Sequence, residues 1–204
     1  MSELIIAGGV FMYPLLICSV LIFAISIERL WFLQERLVSP KGLRAQVTNL
    51  INRSKLDEKQ RRNIADLSAL GILLMTAYKY KDLTREGLES KLNETSSEVK
   101  FALERNLTML GTIATISPLL GLLGTVVGMI VAFTGLTASG SPDSDVLALG
   151  ISQALITTAF GLSIAVPGLV MHKFFEQKIN HLLLLLQSET SEFIDHINLS
   201  LIHI

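Results

Sequence analysis

Three stretches free of charged side chains constrain this chain more than anything else in it. Leu4 to Ile27 runs 24 residues without a charge, Asn106 to Pro142 runs 37, and Val146 to Met171 runs 26. About 20 apolar residues suffice to carry a helix across a bilayer, so three transmembrane spans are expected. The charges are gathered between and after these runs. A net charge of −1 supplies no basic field for nucleic acid.

A cleaved signal peptide is the alternative for the first run, with Ala24-Ile25-Ser26 as a loose cleavage site. Such a peptide carries its positive charge before the apolar run, whereas here Glu3 precedes it and Arg29 and Arg36 follow it. Cys18 is the single cysteine, so no intrachain disulfide can form. Orientation follows from the cations, which accumulate on cytoplasmic flanks. Fifteen of the 17 Lys and Arg lie between Glu28 and Arg105, and Lys173 and Lys178 follow the third run. The N-terminus and the segment TASGSPDSDV (Thr137 to Val146) contain none. The chain is therefore expected to start outside and end in the cytoplasm. Its parts are an N-terminal region with span one (1–30), a cytoplasmic helical domain (31–105), span two (106–136), a loop outside the cell membrane that is periplasmic in an inner-membrane protein (137–146), span three (147–171) and a cytoplasmic C-terminal helix (172–204).

Helical periodicity extends through the charged parts. Ser39-Pro40 reads as an N-cap followed by a first-turn proline, opening a helix through Val47, Leu50 and Ile51. Ile64, Leu67, Leu70, Leu74 and Tyr78 fall at helical spacing. Leu88, Leu92, Val99, Leu103 and Leu107 continue in steps that run straight into span two, predicting one long helix with no breaker before Pro118. After Met171, Phe174, Phe175, Ile179, Leu182, Leu183 and Leu186 alternate with charged and amide residues, predicting a helical extension of span three.

The apolar spans are unusual in their small and hydroxylated residues. Gly121, Gly124 and Gly128 recur on one face of span two with Ala114 and Ala132, and Gly161, Ala165 and Gly168 make a similar face on span three. Small residues let membrane helices approach closely. Packing of spans two and three within one chain accounts for part of this surface, and contacts between subunits are expected to use the rest. Thr108, Thr112, Thr115 and Thr125 lie near one face of span two; Gln153, Thr157 and Thr158 cluster on span three. Polar groups at membrane depth face protein or water, which points to a polar-lined pore or groove. The alternative is that each hydroxyl bonds a carbonyl of its own helix. No ionisable side chain lies between Asn106 and Pro142 or between Val146 and Met171. Any proton path lined by these spans therefore needs a carboxylate from a partner. Glu28-Arg29, ending span one, reads as an interfacial anchor.

YPLLICSVLIFAISIERLW (Tyr13 to Trp31), SPLLGLLGTVVGMIVAF (Ser117 to Phe133) and GISQALITTAFGLSIAVPGL (Gly150 to Leu169) resemble the ExbB/TolQ/MotA family of proton-channel subunits, in its three-span ExbB-like branch. The charged domain is similar only in length and helical character. The resemblance implies a homopentamer in the inner membrane of a Gram-negative bacterial cell, with a periplasmic N-terminus and a cytoplasmic C-terminus, enclosing the single-span helices of an ExbD- or TolR-type partner. That partner supplies the intramembrane aspartate and couples proton entry to a TonB- or TolA-type protein. It also implies that Thr125 and Thr158 face the partner's aspartate, and that Pro118 and Pro167 are the family's helix prolines. Many ExbB proteins carry a glutamate where this chain has Gln153, and an amide cannot titrate.

The expected fold is thus an all-α membrane protein with three transmembrane helices and long cytoplasmic helical extensions. The expected pore-lining set is Thr125, Thr158, Gln153, Thr157 and Thr115, and the expected packing set is Pro118, Gly121, Gly124, Gly128, Gly161 and Pro167. The lipid bilayer is an expected partner, and no cofactor or metal is. A motor subunit for TonB-dependent uptake leads, with a TolQ-like envelope role, a passive channel and a scaffold as alternatives. An enzyme is not expected: GLLGTVVG lacks the P-loop lysine, and the four histidines are scattered through the C-terminal tail.

Overall fold

The structure, a computed structural model, describes residues 7–53, 56–138 and 144–202, and side chains at 53, 135–138 and 198–202 are left aside. Within these residues the chain is all helix and turn, with three helices long and apolar enough to cross a membrane. In chain order they are α1 (Met12–Phe32), α2 (Glu35–Val38), α3 (Leu43–Arg53), α4 (Glu58–Leu67), α5 (Ala69–Lys79), α6 (Arg85–Glu104), α7 (Leu107–Ala138) and α8 (Ser144–Ile202). Two compact units divide the chain. One holds residues 1–29 and 106–174, the other residues 30–105 and 175–204.

In the first, membrane unit, α1 buries a stripe of Met12, Leu15, Ile22, Ile25, Ser26 and Arg29 and exposes Tyr13, Ile17, Val20, Phe23 and Ile27. The spacing of three, four or seven is that of one helix face. The first apolar run is not a single helix: Gly9 has φ +69°, in the left-handed region open to glycine, and α1 starts three residues later. Gly168 of α8 lies where α1 and α7 both arrive. A Cβ there would stand 2.8 Å from Ile22 Cδ1 and 2.9 Å from Ala114 Cβ.

The second, charged unit is built from short capped helices. Asp57 caps α4, its carboxylate accepting from Glu58 N at 2.7 Å while the Gln60 side chain accepts from Asp57 N, a reciprocal capping box. Thr84 caps α6 by accepting from Gly87 N. α5 packs against α3, α4 and α6. Leu70 and Leu74 of α5, Val47 of α3 and the α8 stripe Phe175, Ile179, Leu182, Leu186 and Phe193 are fully buried. Arg44 of α3 pairs with Glu189 at 3.0 Å and also with Glu192, both on α8.

Three sequence expectations are corrected here. Ser39 closes α2 instead of opening α3, its backbone N–H donating to Glu35 O. α3 begins after Gly42, whose φ of +84° makes the turn. The run from Ile64 to Tyr78 is two helices, since Ser68 is extended and its hydroxyl accepts from Gly71 N to start α5 afresh. Gly71 then lies so close to the Ile64 carbonyl that a Cβ could not be accommodated. The expected long helix through Leu103 and Leu107 is also broken. Arg105 leaves the helical region and Asn106 adopts φ +62°, a conformation asparagine tolerates better than most residues. By contrast α7 and α8 run unbroken past Pro118 and Pro167, as membrane helices allow. The expected periplasmic loop falls largely on residues 139–143, outside the described residues.

Candidate functional site: the α7–α8 helix pair

The glycine face of α7 lies on α8 of the same chain. A Cβ on Gly161 would sit 2.7 Å from Ser117 O and 3.1 Å from Gly121 Cα; one on Gly121 would sit 3.0 Å from Thr157 O. Further along, Gly128 and Gly150 face each other across the pair, and Gly124 abuts the Thr157 side chain. Backbone stands against backbone, which only small residues permit. Gly121, Gly124, Gly128 and Gly161 are all buried inside the chain. These glycines are covered by the chain's own third span, as packing of spans two and three within one chain requires.

The polar set separates into different environments. Thr157 is 0% exposed, and its hydroxyl donates to Gln153 O and Ala154 O, each at 3.0 Å. In this chain Thr157 therefore lies between the two helices, against Gly124. Thr158, one residue on, is half-buried and donates to Ala154 O at 3.1 Å and across the pair to Gly121 O at 3.3 Å. Thr125 is half-buried and donates to Leu122 O at 2.6 Å, beside a shallow groove formed with Val126, Met129, Ile130, Phe133 and Thr134. Thr115 is exposed, donates to Gly111 O at 2.8 Å, and stands ten residues from Thr125, about 15 Å along the helix. Gln153 is half-buried with its side-chain amide against Gly9. Pro118 is half-buried and Pro167 exposed.

These hydrogen bonds settle what the hydroxyls can do. Each threonine spends its single O–H on a helix carbonyl, as the backbone alternative requires. The oxygen keeps lone pairs free to accept. Thr125 and Thr158, partly open to the surface, can therefore accept a hydrogen bond from water or from a protonated carboxylic acid. They cannot carry a charge themselves.

Several residues went unnoticed in the sequence. Asn106 Nδ2 donates to both carboxylate oxygens of Glu28, at 3.0 and 3.2 Å, bracing the left-handed turn ahead of α7 against the end of α1. Arg29, 2.9 Å from Glu28, has a side chain only 3% exposed. Its guanidinium is thus held within the protein beside Glu28. The His172 ring packs on Gly111, where a Cβ would stand 2.7 Å from Nε2. Asparagine's tolerance of positive φ was the signal for the turn; nothing marked the pairings.

Three bilayer-length apolar helices, two of them in glycine-mediated contact and bearing half-buried hydroxyls, define a multi-pass membrane protein whose spans are suited to passing or contacting a polar species. Residues 61–188 match the model of the MotA/TolQ/ExbB proton channel family. The chain is 37% identical over 167 residues to the biopolymer transport protein exbB1 of Vibrio cholerae, covering 78% of this chain and 72% of that protein. It is 34% identical over 174 residues to the ExbB-like 1 protein of Synechocystis, covering 81% of this chain and 66% of that protein. Similarity to the Tol-Pal system protein TolQ of Haemophilus influenzae is 34% over 94 residues, 46% of this chain and 40% of that one. The chain belongs to the MotA/TolQ/ExbB proton channel family, whose members are channel subunits and not enzymes.

Proposed function

We propose that this chain is the ExbB-like subunit of a motor driven by the proton-motive force. In this reading five copies enclose the single-span helices of an ExbD-type partner in a bacterial inner membrane. The N-terminus is periplasmic, the C-terminus cytoplasmic, and proton entry energises a TonB-type protein. One observation carries the reading: spans two and three contain no ionisable side chain, yet Thr125 and Thr158 keep half-buried hydroxyl oxygens at membrane depth. Such oxygens can accept the hydrogen bond of a carboxylic acid in its neutral state and release it when the acid ionises. A partner's aspartate supplies that acid, and the chain supplies its polar seat. Gln153, packed against Gly9, serves as a hydrogen-bonding residue and not as a proton relay. A TolQ-like role is the second reading, favoured by the TolQ relative.

The test substitutes the hydroxyls without changing volume much. Thr158→Val and Thr125→Val are expected to lower partner-dependent proton flux in liposomes about tenfold each, the worth of one lost hydrogen bond of about 1.4 kcal/mol. Thr158→Ser retains flux, and Thr115→Val, exposed and 15 Å away along the helix, matters less. A Thr125→Val/Thr158→Val double variant with normal flux would assign both hydroxyls to the helix backbone alone.

A further inference from the structure

Two residues beyond the end of α1 the charged unit contains a pocket of about 270 Å³, lined by Gln34, Glu35, Arg36, Ser39, Lys41 and Lys178. It is just under the size range of about 300 Å³ upward that takes whole drug-sized ligands, and so suits a headgroup. Arg36 and Lys41 there stand against one carboxylate, Glu35, an excess of one positive charge to which Lys178, engaged in an interaction of its own, is not added. Arg29, Arg44, Arg62, Arg85, Lys91 and Lys100 each have a carboxylate within 4 Å. Among the described residues Arg36 and Lys41 have none, in common with Lys59, Arg61, Lys79, Lys81 and Arg105, but only Arg36 and Lys41 of these line the pocket next to α1, and both are exposed.

The neighbouring chain indicates what the pocket meets. Trp31 is 72% exposed and Phe32 58%, with Leu30 and Leu37 also exposed, all beside a run of cations that starts at Arg29. Exposed aromatic residues at the end of a spanning helix mark the membrane–water boundary. Arg36 follows Trp31 by five residues, so the excess positive charge begins at headgroup level. Basic residues there attract anionic lipid, about fivefold in affinity for each cation.

We propose that this pocket binds the phosphate of an anionic glycerophospholipid, held between Arg36 and Lys41. The proposal needs only that α1 spans the bilayer. It is independent of the proton-coupled reading, and its failure would leave that reading intact.

Trp31 is the sole tryptophan of the chain and a built-in reporter. The full-length protein is reconstituted in vesicles containing equal fractions of acyl-brominated phosphatidylglycerol or brominated phosphatidylcholine, and quenching of Trp31 is compared. The wild type is expected to show stronger quenching by the anionic lipid. Arg36→Gln/Lys41→Gln should bring the two lipids to near equality, since two cations set an upper bound of about 25-fold on the preference lost. Lys59→Gln/Arg62→Gln on α4 removes the same net charge elsewhere and should leave the preference unchanged. Should the double pocket variant fail to fold by circular dichroism, Glu35→Gln decides, because removing the pocket's carboxylate should increase the preference. Equal quenching in the wild type overturns the proposal, as does a preference that survives Arg36→Gln/Lys41→Gln or falls equally with the α4 pair. Loss of the preference on adding millimolar inorganic phosphate would assign the pocket to free phosphate instead of lipid.

Discussion

Gly150→Ala adds one methyl group at the contact between α7 and α8, and the geometry fixes what that methyl meets. It would lie 2.6 Å from Ala132 N and 2.7 Å from Ala132 Cβ, where ordinary contact begins at 3.4 Å. The obstructing atoms are backbone or Cβ, so no rotamer change relieves the overlap and the helices must separate by some tenths of an ångström. Overpacking of this kind costs about 1–3 kcal/mol, against a gain of up to about 1 kcal/mol from replacing glycine by alanine in a helix. Gly87→Ala is the comparison. Its methyl would have nothing nearer than Thr84 Oγ1 at 3.2 Å, so most of the helix-propensity gain remains. Gly150→Ala should therefore be less stable than Gly87→Ala by about 2 kcal/mol, or about 4–8 °C in the unfolding midpoint of a chain this size. Thermal unfolding followed by circular dichroism in one detergent measures this. Adding Gly128→Ala should cost less than it does alone, because both methyls press on one contact. A midpoint for Gly150→Ala at or above that of Gly87→Ala would refute backbone-to-backbone packing of α7 on α8.

Two further outcomes are expected. Asn106→Gly loses the hydrogen bonds to Glu28 but keeps the left-handed turn, whereas Asn106→Ala loses both. The alanine variant should be the less stable of the two by about 1 kcal/mol, read from the same unfolding curves. In a Cys18→Ser background, single cysteines at exposed Ser144 and Ser90 should react oppositely with a membrane-impermeant thiol reagent on intact spheroplasts. Labelling at Ser144 alone supports a periplasmic N-terminus, and labelling at Ser90 alone reverses the topology.

Charge distribution made the three spans legible, because a bilayer-length run without charge has few other uses. The α8 stripe of Phe175, Ile179, Leu182 and Leu186 was equally readable, since a helix of 59 residues keeps its period throughout. Periodicity failed where a break preserved it. Leu103 and Leu107 stay four residues apart on either side of the break at Asn106 and both are buried, so the apolar pattern conceals the break. Ser39 and Ser68 show the same limit for caps: a serine before a helix-like run also serves as the end of the one before it. Within the site, residue types announced close packing and hydroxyl chemistry, but not which side faced the chain itself. Thr157 and Thr158 are neighbours in sequence, and a rotation of 100° between them decides that one is sealed and the other half-open. The pairing of Arg29 with Glu28 and its burial depend on packing that no local pattern encodes.

The most direct test of the central claim measures proton flux into liposomes holding this chain alone and the same chain with its single-span partner. With no ionisable group in spans two and three, the chain alone should conduct at the level of empty liposomes. Addition of the partner should open a flux that disappears when the partner's membrane aspartate is replaced by asparagine. Proton flux through the chain alone, or an unchanged flux with the asparagine partner, would contradict the claim that the partner supplies the titrating acid and this chain its seat.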